Sequence, residues 1–341
     1  MYSLLRPILF QLETEFTHRL SLKSIDVLSS AKLLKPFIPS VENNPVTVMG
    51  IEFPNPVGLA AGLDKDGDHI DGLGDLGFGF IEIGTVTPKP QLGNPKPRLF
   101  RLPEHQAIIN RMGFNNKGVD HLIEQVKKRR YQGVLGINIG KNAVTPVENA
   151  ADDYRTGLQK VYAFADYITV NISSPNTPGL RTLQYGDQLK ALLAIIKTEQ
   201  LELQKKHGRY VPVAIKIAPD MNEDEIKQVA SALVESGMDC VIATNTTLSR
   251  DAVKGHRHEQ EAGGLSGAPV TRSSLSVIQQ LSAELGAKMP IIGVGGIMDG
   301  DDAADKIKAG ASLVQLYTGF IYRGPVLISE SAKAIANILV K

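Results

Sequence analysis

Eight short runs of apolar and β-branched residues, each met within a residue or two by Gly, Asn, Thr or Pro, constrain this chain more than any other feature. They occupy residues 56–61, 80–85, 134–139, 167–172, 211–217, 240–244, 290–294 and 313–317. Several are apolar throughout rather than alternating, as a parallel strand covered on both faces requires. Helical stretches lie between them, among them 223–236, 273–285 and 301–309, the last two opening on Ser273 and Asp301, residues that suit an N-cap. Eight successive β–α units close into a (β/α)8 TIM barrel, an α/β fold. A doubly wound open sheet is the competing architecture, but no Gly-x-Gly-x-x-Gly turn follows a first strand with an acidic residue about 20 positions on. The long excursion between the second and third runs carries Pro88, Pro90, Pro95 and Pro97 and then residues 98–111, and predicts a cap over the barrel mouth.

With 341 residues, 43% of them hydrophobic, the chain can bury one large core. Lys and Arg total 37 against 36 Asp and Glu, so no global field draws it to nucleic acid. Cys240 is the only cysteine, and no Cys/His cluster has metal-ligand spacing, so neither a disulfide framework nor a metal site is expected. No apolar run reaches the roughly 18–20 residues a membrane span needs. Residues 1–40 stand outside the eight-unit count and read as two helices, with one stripe through Leu5, Ile8, Leu9, Leu12 and Phe16 and another through Leu20, Ser24, Val27 and Leu28. Basic flanks at Arg6, Arg19, Lys23, Lys32 and Lys35 suit a membrane surface. Packing against the barrel side suits the pattern equally. The division is therefore 1–40, a helical extension, and 41–341, the barrel.

Barrels of this type assemble their sites from the loops at the C-terminal strand ends. Gly295 and Gly296 after the seventh run, with Tyr317 and Thr318 after the eighth, match a cradle of backbone N–H groups for phosphate, and Gly267 could add another amide. Lys216 lies inside the fifth run, where an ammonium is costly without an anion. Two roles fit it: a Schiff-base nucleophile of an aldolase-like barrel, or a cation against a cofactor ring that gains negative charge on reduction. Asn138, Asn171 and Asn245 at strand ends, with Asn110 and Asn176 from loops, offer paired donors and acceptors for a flat imide or pyrimidine. None of the seven histidines falls at a strand end, and Cys240 opens the sixth run, at the closed end of the barrel. Among hydroxyls Ser174 is the best placed proton acceptor, with Thr177 as one possible relay, although a loop-structural role for Ser174 fits the spacing equally well.

Five ordered segments carry a family resemblance: Gly-Leu-Ala-Ala-Gly-Leu-Asp-Lys at 58–65, Ile-Glu-Ile-Gly-Thr-Val-Thr-Pro at 81–88, Asn-Arg-Met-Gly-Phe-Asn-Asn at 110–116, Asn-Ile-Ser-Ser-Pro-Asn-Thr-Pro-Gly-Leu at 171–180 and Ile-Gly-Val-Gly-Gly-Ile at 292–297. From about residue 45 to the end the chain resembles the dihydroorotate dehydrogenases. Ser at 174, where soluble class 1 members carry a cysteine, and the N-terminal helices make it similar to the membrane-associated, quinone-reducing class 2 branch. The resemblance implies oxidation of dihydroorotate to orotate in pyrimidine synthesis, with FMN as cofactor and a membrane quinone as acceptor. It implies FMN contacts at Ala60, Ala61, Gly62, Leu63, Asp64, Lys65, Thr85, Asn138, Asn171, Lys216, Thr244, Gly267, Gly296, Tyr317 and Thr318. Substrate contacts are implied at Lys65, Asn110, Arg111, Met112, Gly113, Phe114, Asn171, Asn176, Asn245 and Thr246, with Ser174 taking the C5 proton while hydride passes from C6 to the flavin. It further implies a quinone path along His18, Arg101 and Tyr317, a monomer, and peripheral attachment to the cytoplasmic face of a bacterial inner membrane.

Overall fold

A computed structural model describes residues Tyr2–Leu339. Its centre is a closed barrel of eight parallel strands: β1 (Val57–Leu59), β2 (Phe80–Val86), β3 (Val134–Ile139), β4 (Tyr167–Asn171), β5 (Val213–Ile217), β6 (Cys240–Ala243), β7 (Ile291–Val294) and β8 (Leu313–Leu316). All eight predicted runs become these strands in order, and β8 pairs back onto β1 through Gln315 opposite Gly58. Burial of every residue in each strand explains the lack of alternation, since the inner face packs on the barrel interior and the outer face on helices. Phe53, Phe80, Tyr167, Cys240 and Ile292 fill the inside, and Cys240 lies buried in this cluster as its place at the start of β6 predicted. A hairpin of Val46–Val48 and Ile51–Phe53, not foreseen from the sequence, closes the bottom.

The helices at 223–236, 273–285 and 301–309 are observed as Glu223–Glu235, Thr271–Leu285 and Gly300–Lys308. Two cap expectations need correction. Asp299, not Asp301, caps the last helix by accepting from the Asp302 amide at 2.9 Å. Ser273 lies inside its helix and donates to Val270 O at 3.3 Å, because that helix starts two residues earlier out of a short 3-10 turn. The helix Glu223–Glu235 carries a full capping box between Asn222 and Glu225.

The excursion after β2 does cover the mouth, as a sheet. Strands Leu99–Leu102 and Ala107–Asn110 form an antiparallel pair, and Gly264–Gly267, from the loop after β6, adds to the second strand with Gly264 opposite Asn110.

The extension forms helices α1 (Tyr2–Leu9) and α2 (Thr14–Ser30). The first apolar stripe therefore spans two helices, with a break at residues 10–13 where Arg101 donates to the carbonyls of Phe10 and Leu12. The segment does pack on the barrel with one face, and its other face is apolar and exposed. Toward the barrel, Leu22 and Ser29 are buried, and Glu15 pairs with Arg98 at 2.8 Å in a dry contact. Away from it, Leu5, Ile8, Leu12, Phe16, Leu20 and Val27 are exposed, Ile8 at 63% and Val27 at 67%. Ser24 is exposed beside Leu20 and Val27, while Leu9 and Leu28 are half-buried. No described helix is long and apolar enough to cross a membrane.

Candidate active site at the barrel mouth

The C-terminal strand ends and the mouth sheet enclose a cleft with about 1010 Å³ of atom-free space, its opening included. Ala60, Ala61, Gly62 and Lys65 follow β1, and Thr85 lies in β2. Asn110, Met112, Gly113 and Phe114 come from the mouth sheet and the segment after it. Asn171, Ser174 and Asn176 follow from β4, Lys216 from β5, and Thr244, Asn245 and Thr246 from the end of β6. Gly267, Gly295, Gly296, Tyr317 and Thr318 line the far end.

The remaining predicted residues lie elsewhere. Asn138 is buried beneath the cleft, where its amide donates to Glu82 at 2.8 Å and its oxygen accepts from Thr85 Oγ1 at 2.6 Å. Leu63 is in the core, and the buried Asp64 carboxylate accepts from the amides of Asp68 and His69, which shapes the loop carrying Lys65. Arg111 turns its guanidinium away to Glu261 at 2.6 Å and over the Phe100 ring, leaving only its backbone near the cleft. His18 belongs to α2, and Arg101, on the mouth-sheet strand Leu99–Leu102, reaches the break between α1 and α2. His18 is neutral, its pKa pushed down to about 3 by burial and by the nearby Lys65 and His69. Thr177 Oγ1 is buried without a partner close to Ser174 in sequence.

A hydrogen-bond chain holds the floor. Asn171 donates to Thr85 at 3.1 Å, Thr85 to Asn138, and Asn138 to Glu82, whose carboxyl also accepts from Tyr167 at 2.8 Å and Gln315 at 2.7 Å. A carboxylate only accepts, so Glu82 sets the direction of every amide above it. Burial and Glu82 together raise the Tyr167 pKa, so its hydroxyl remains a donor. Neither Glu82 nor Gln315 is among the site residues expected from the sequence. The signal was present: a charged residue inside an apolar strand, the same pattern that singles out Lys216.

Lys216 is buried, and its ammonium has no hydrogen-bond partner among the described residues. Burial pulls its pKa down, opposed by the Glu82 carboxylate. Lys65 is likewise lowered by burial, to about 8. These two are the only charged side chains on the cleft wall among the described residues, and no carboxylate or histidine joins them. Ser174 is 5% exposed, and its Oγ accepts from the Asn176 amide at 3.2 Å. Asn245 donates to Ser173 Oγ at 3.0 Å, and Asn176 to the Asn110 carbonyl at 3.2 Å, so four asparagines do converge on one wall.

Two glycines are required at the far end. Gly267 holds φ at +96°, and a Cβ there would meet the Gln106 carbonyl at 2.2 Å. Gly296 holds φ at +73°, with a Cβ 2.4 Å from the amide nitrogen of Thr271, the first residue of its helix. Among the described residues no backbone carbonyl accepts from the amides of Gly295 or Gly296, and Thr244 Oγ1 and Gln315 Oε1 are buried on the same cleft wall without partners. The cleft thus presents unused donors, unused acceptors and two cations, the complement of an anionic, hydrogen-bonding ligand.

Comparison with known proteins agrees. The family profile described as dihydroorotate dehydrogenase matches residues 44–339. A protein of Marinobacter nauticus named dihydroorotate dehydrogenase (quinone) is 68% identical over 335 residues, covering 98% of each chain. One of the same name from Pseudomonas aeruginosa is 62% identical and covers 99% of each. The solved structure of the Eimeria tenella enzyme in complex with ferulenol superposes with a TM-score of 0.86 at 38% identity, covering 96% of this chain and 92% of that one.

Proposed function

The chain belongs to the dihydroorotate dehydrogenase family, and from that membership we propose that its mouth cleft oxidises dihydroorotate on a bound FMN, with Ser174 as the base. Its enzyme class is the quinone-linked one, EC 1.3.5.2, which oxidises dihydroorotate with a quinone as acceptor in pyrimidine biosynthesis. The observation that carries the finer reading is the cleft itself: two cations, four asparagines and one buried serine around unsatisfied donors and acceptors.

These residues fit an FMN. Unused amides at Gly295 and Gly296, with Gly267, Tyr317 and Thr318, would hold its phosphate. Ala60, Ala61, Gly62, Thr85, Asn171, Lys216 and Thr244 would surround its ring, with Leu63, Asp64 and Asn138 shaping that wall from behind. When bound, the flavin accepts the hydride leaving C6 and later yields both electrons to a quinone. The protein's own residues do the rest. Lys65, Asn110, Asn171, Asn176, Asn245 and Thr246 hold the substrate's carboxylate and imide edge. The backbone of Arg111, Met112, Gly113 and Phe114 closes over it and excludes water. Ser174 Oγ would take the C5 proton, and Thr177, a buried hydroxyl without a partner three residues on, would pass it on. Lys216 supplies fixed positive charge where negative charge develops.

An anaerobic visible spectrum tests the whole reading. Dihydroorotate should bleach the flavin absorption of the purified protein, and a soluble quinone should restore it. A flavin-loaded sample that fails to bleach would remove dihydroorotate as the substrate of this cleft.

The Lys65 ammonium is needed for a carboxylate ligand, and its pKa in the free protein is lowered to about 8. Raising pH through that value removes the charge. The KM for dihydroorotate is therefore expected to be flat below about pH 8 and to climb above it, even where the rate of proton abstraction rises. A KM that stays flat to pH 10, read from initial rates, would take Lys65 out of substrate binding.

For the acceptor side, the exposed apolar face of α1 and α2 supports peripheral attachment to the cytoplasmic face of a bacterial inner membrane. His18, Arg101 and Tyr317 would line the quinone's approach beneath it. Burying one Leu or Ile side chain contributes roughly 1.5–3 kcal/mol. Leu5→Glu combined with Ile8→Glu should thus weaken vesicle binding by roughly 10²-fold or more while leaving dihydroorotate bleaching intact. Unchanged co-sedimentation with vesicles would refute the attachment.

A further inference from the structure

We infer that Lys306, outside the cleft wall, supplies the positive charge behind its phosphate end and sets the preference for a phosphorylated over an unphosphorylated flavin. The inference rests on the FMN reading above and concerns a residue with no place in it so far. A phosphate monoester brings close to two negative charges. The cleft's cations, Lys65 and Lys216, lie after β1 and on β5, whereas the cradle is built on β7 and β8 from neutral donors alone.

Directly behind β7 sits an ammonium with no salt bridge among the described residues. Lys306, on the helix Gly300–Lys308, is 1% exposed, and its Nζ donates to Ser274 Oγ at 3.0 Å, its one hydrogen bond among the described residues. Ser274 donates in turn to the carbonyl of Val294 at 2.6 Å, the residue before Gly295, and a Cβ on Gly295 would lie 3.4 Å from the same hydroxyl. One side chain therefore separates the ammonium from the cradle backbone. Asp302, the one charge among the described residues that bears on Lys306, is already engaged by the Met298 amide at 2.8 Å, and burial still lowers the lysine to about 8. A buried ammonium with two of its three donors unused costs stability unless an anion lies nearby. A phosphate on Gly295 and Gly296 is that anion. The methylene stem also packs against Gly293, at 3.2 Å from the position of a Cβ there, so a purely structural role is the alternative to be separated.

The test uses the full-length protein stripped of flavin and titrated with FMN and with riboflavin by fluorescence quenching. Wild type, Lys306→Met and Lys306→Gln are compared. Both variants should lose about 10-fold or more in FMN affinity, ~1.4 kcal/mol or more, with riboflavin affinity unchanged. Riboflavin binding reports a folded cleft, and Lys306→Gln, which can keep the bond to Ser274, isolates the charge if the Met variant does not fold. An unchanged FMN-to-riboflavin ratio, or an equal loss for both ligands, would overturn the inference. Wild-type protein that binds neither flavin would instead overturn the FMN reading on which it rests.

Discussion

Ser174→Ala is expected to slow bleaching of the bound flavin by dihydroorotate by ~10²-fold or more, the usual loss when a general base is removed. FMN content and quinone reoxidation of the pre-reduced protein should not change. The expectation rests on elimination as much as on position. Among the described residues the cleft wall holds no carboxylate and no histidine, and the nearest histidine in the extension, His18, is a buried neutral group on the far side of the Lys65 loop. A serine hydroxyl is a poor base, but here it is dry, and its Oγ already accepts one backbone N–H, which favours the alkoxide. Stopped-flow absorbance decides the matter. Retention of the wild-type reduction rate would leave the cleft without an identified base, and Ser174→Cys separates geometry from chemistry, since a thiol at the same place should restore part of the rate.

Lys216→Met should produce opposite changes in stability and in function. Removing an ammonium that is buried without a hydrogen-bond partner relieves desolvation, so the flavin-free variant should melt higher than flavin-free wild type, by roughly 2 °C or more. The same change deletes the fixed charge nearest the cleft floor. FMN affinity should fall by at least ~10-fold, and the reduction rate by ~10²-fold, the scale seen when a preorganised charge or donor is lost. Scanning calorimetry of the flavin-free protein and stopped-flow of the loaded one measure the two sides. A lower melting temperature would mean that Glu82 alone already compensates Lys216, and that the ammonium stabilises the fold rather than the ligand.

Much of this was legible beforehand, for identifiable reasons. The eight strands could be read because each is buried on both faces, which forces an unbroken apolar run. The cleft residues could be read because a barrel puts its chemistry at one end of every strand, so Lys216, Asn171 and Asn245 needed only their place in the run order. What stayed hidden depends on contacts between distant segments. Asn138 is a strand-end asparagine like the others, yet its amide is consumed by Glu82 below the floor. Arg111 lies within a cleft-forming segment, yet Glu261 and Phe100 draw its side chain outward. The N-terminal stripe could not be divided from periodicity, because Glu15, which buries one face, answers to Arg98 from the mouth insert.

The mouth sheet has a consequence for how the protein comes to hold its ligand. Its third strand, Gly264–Gly267, is donated across the mouth from the later half of the chain to a strand ending at Asn110. Gly267 on that strand and Gly296 beyond it both line the far end of the cleft. During synthesis, then, six of the eight barrel strands precede Gly264–Gly267, and the cleft lacks that wall until it follows. On the proposed flavin reading, a chain ending before Gly264 is expected to stay colourless, since Gly267, Gly296, Tyr317 and Thr318 all follow that point.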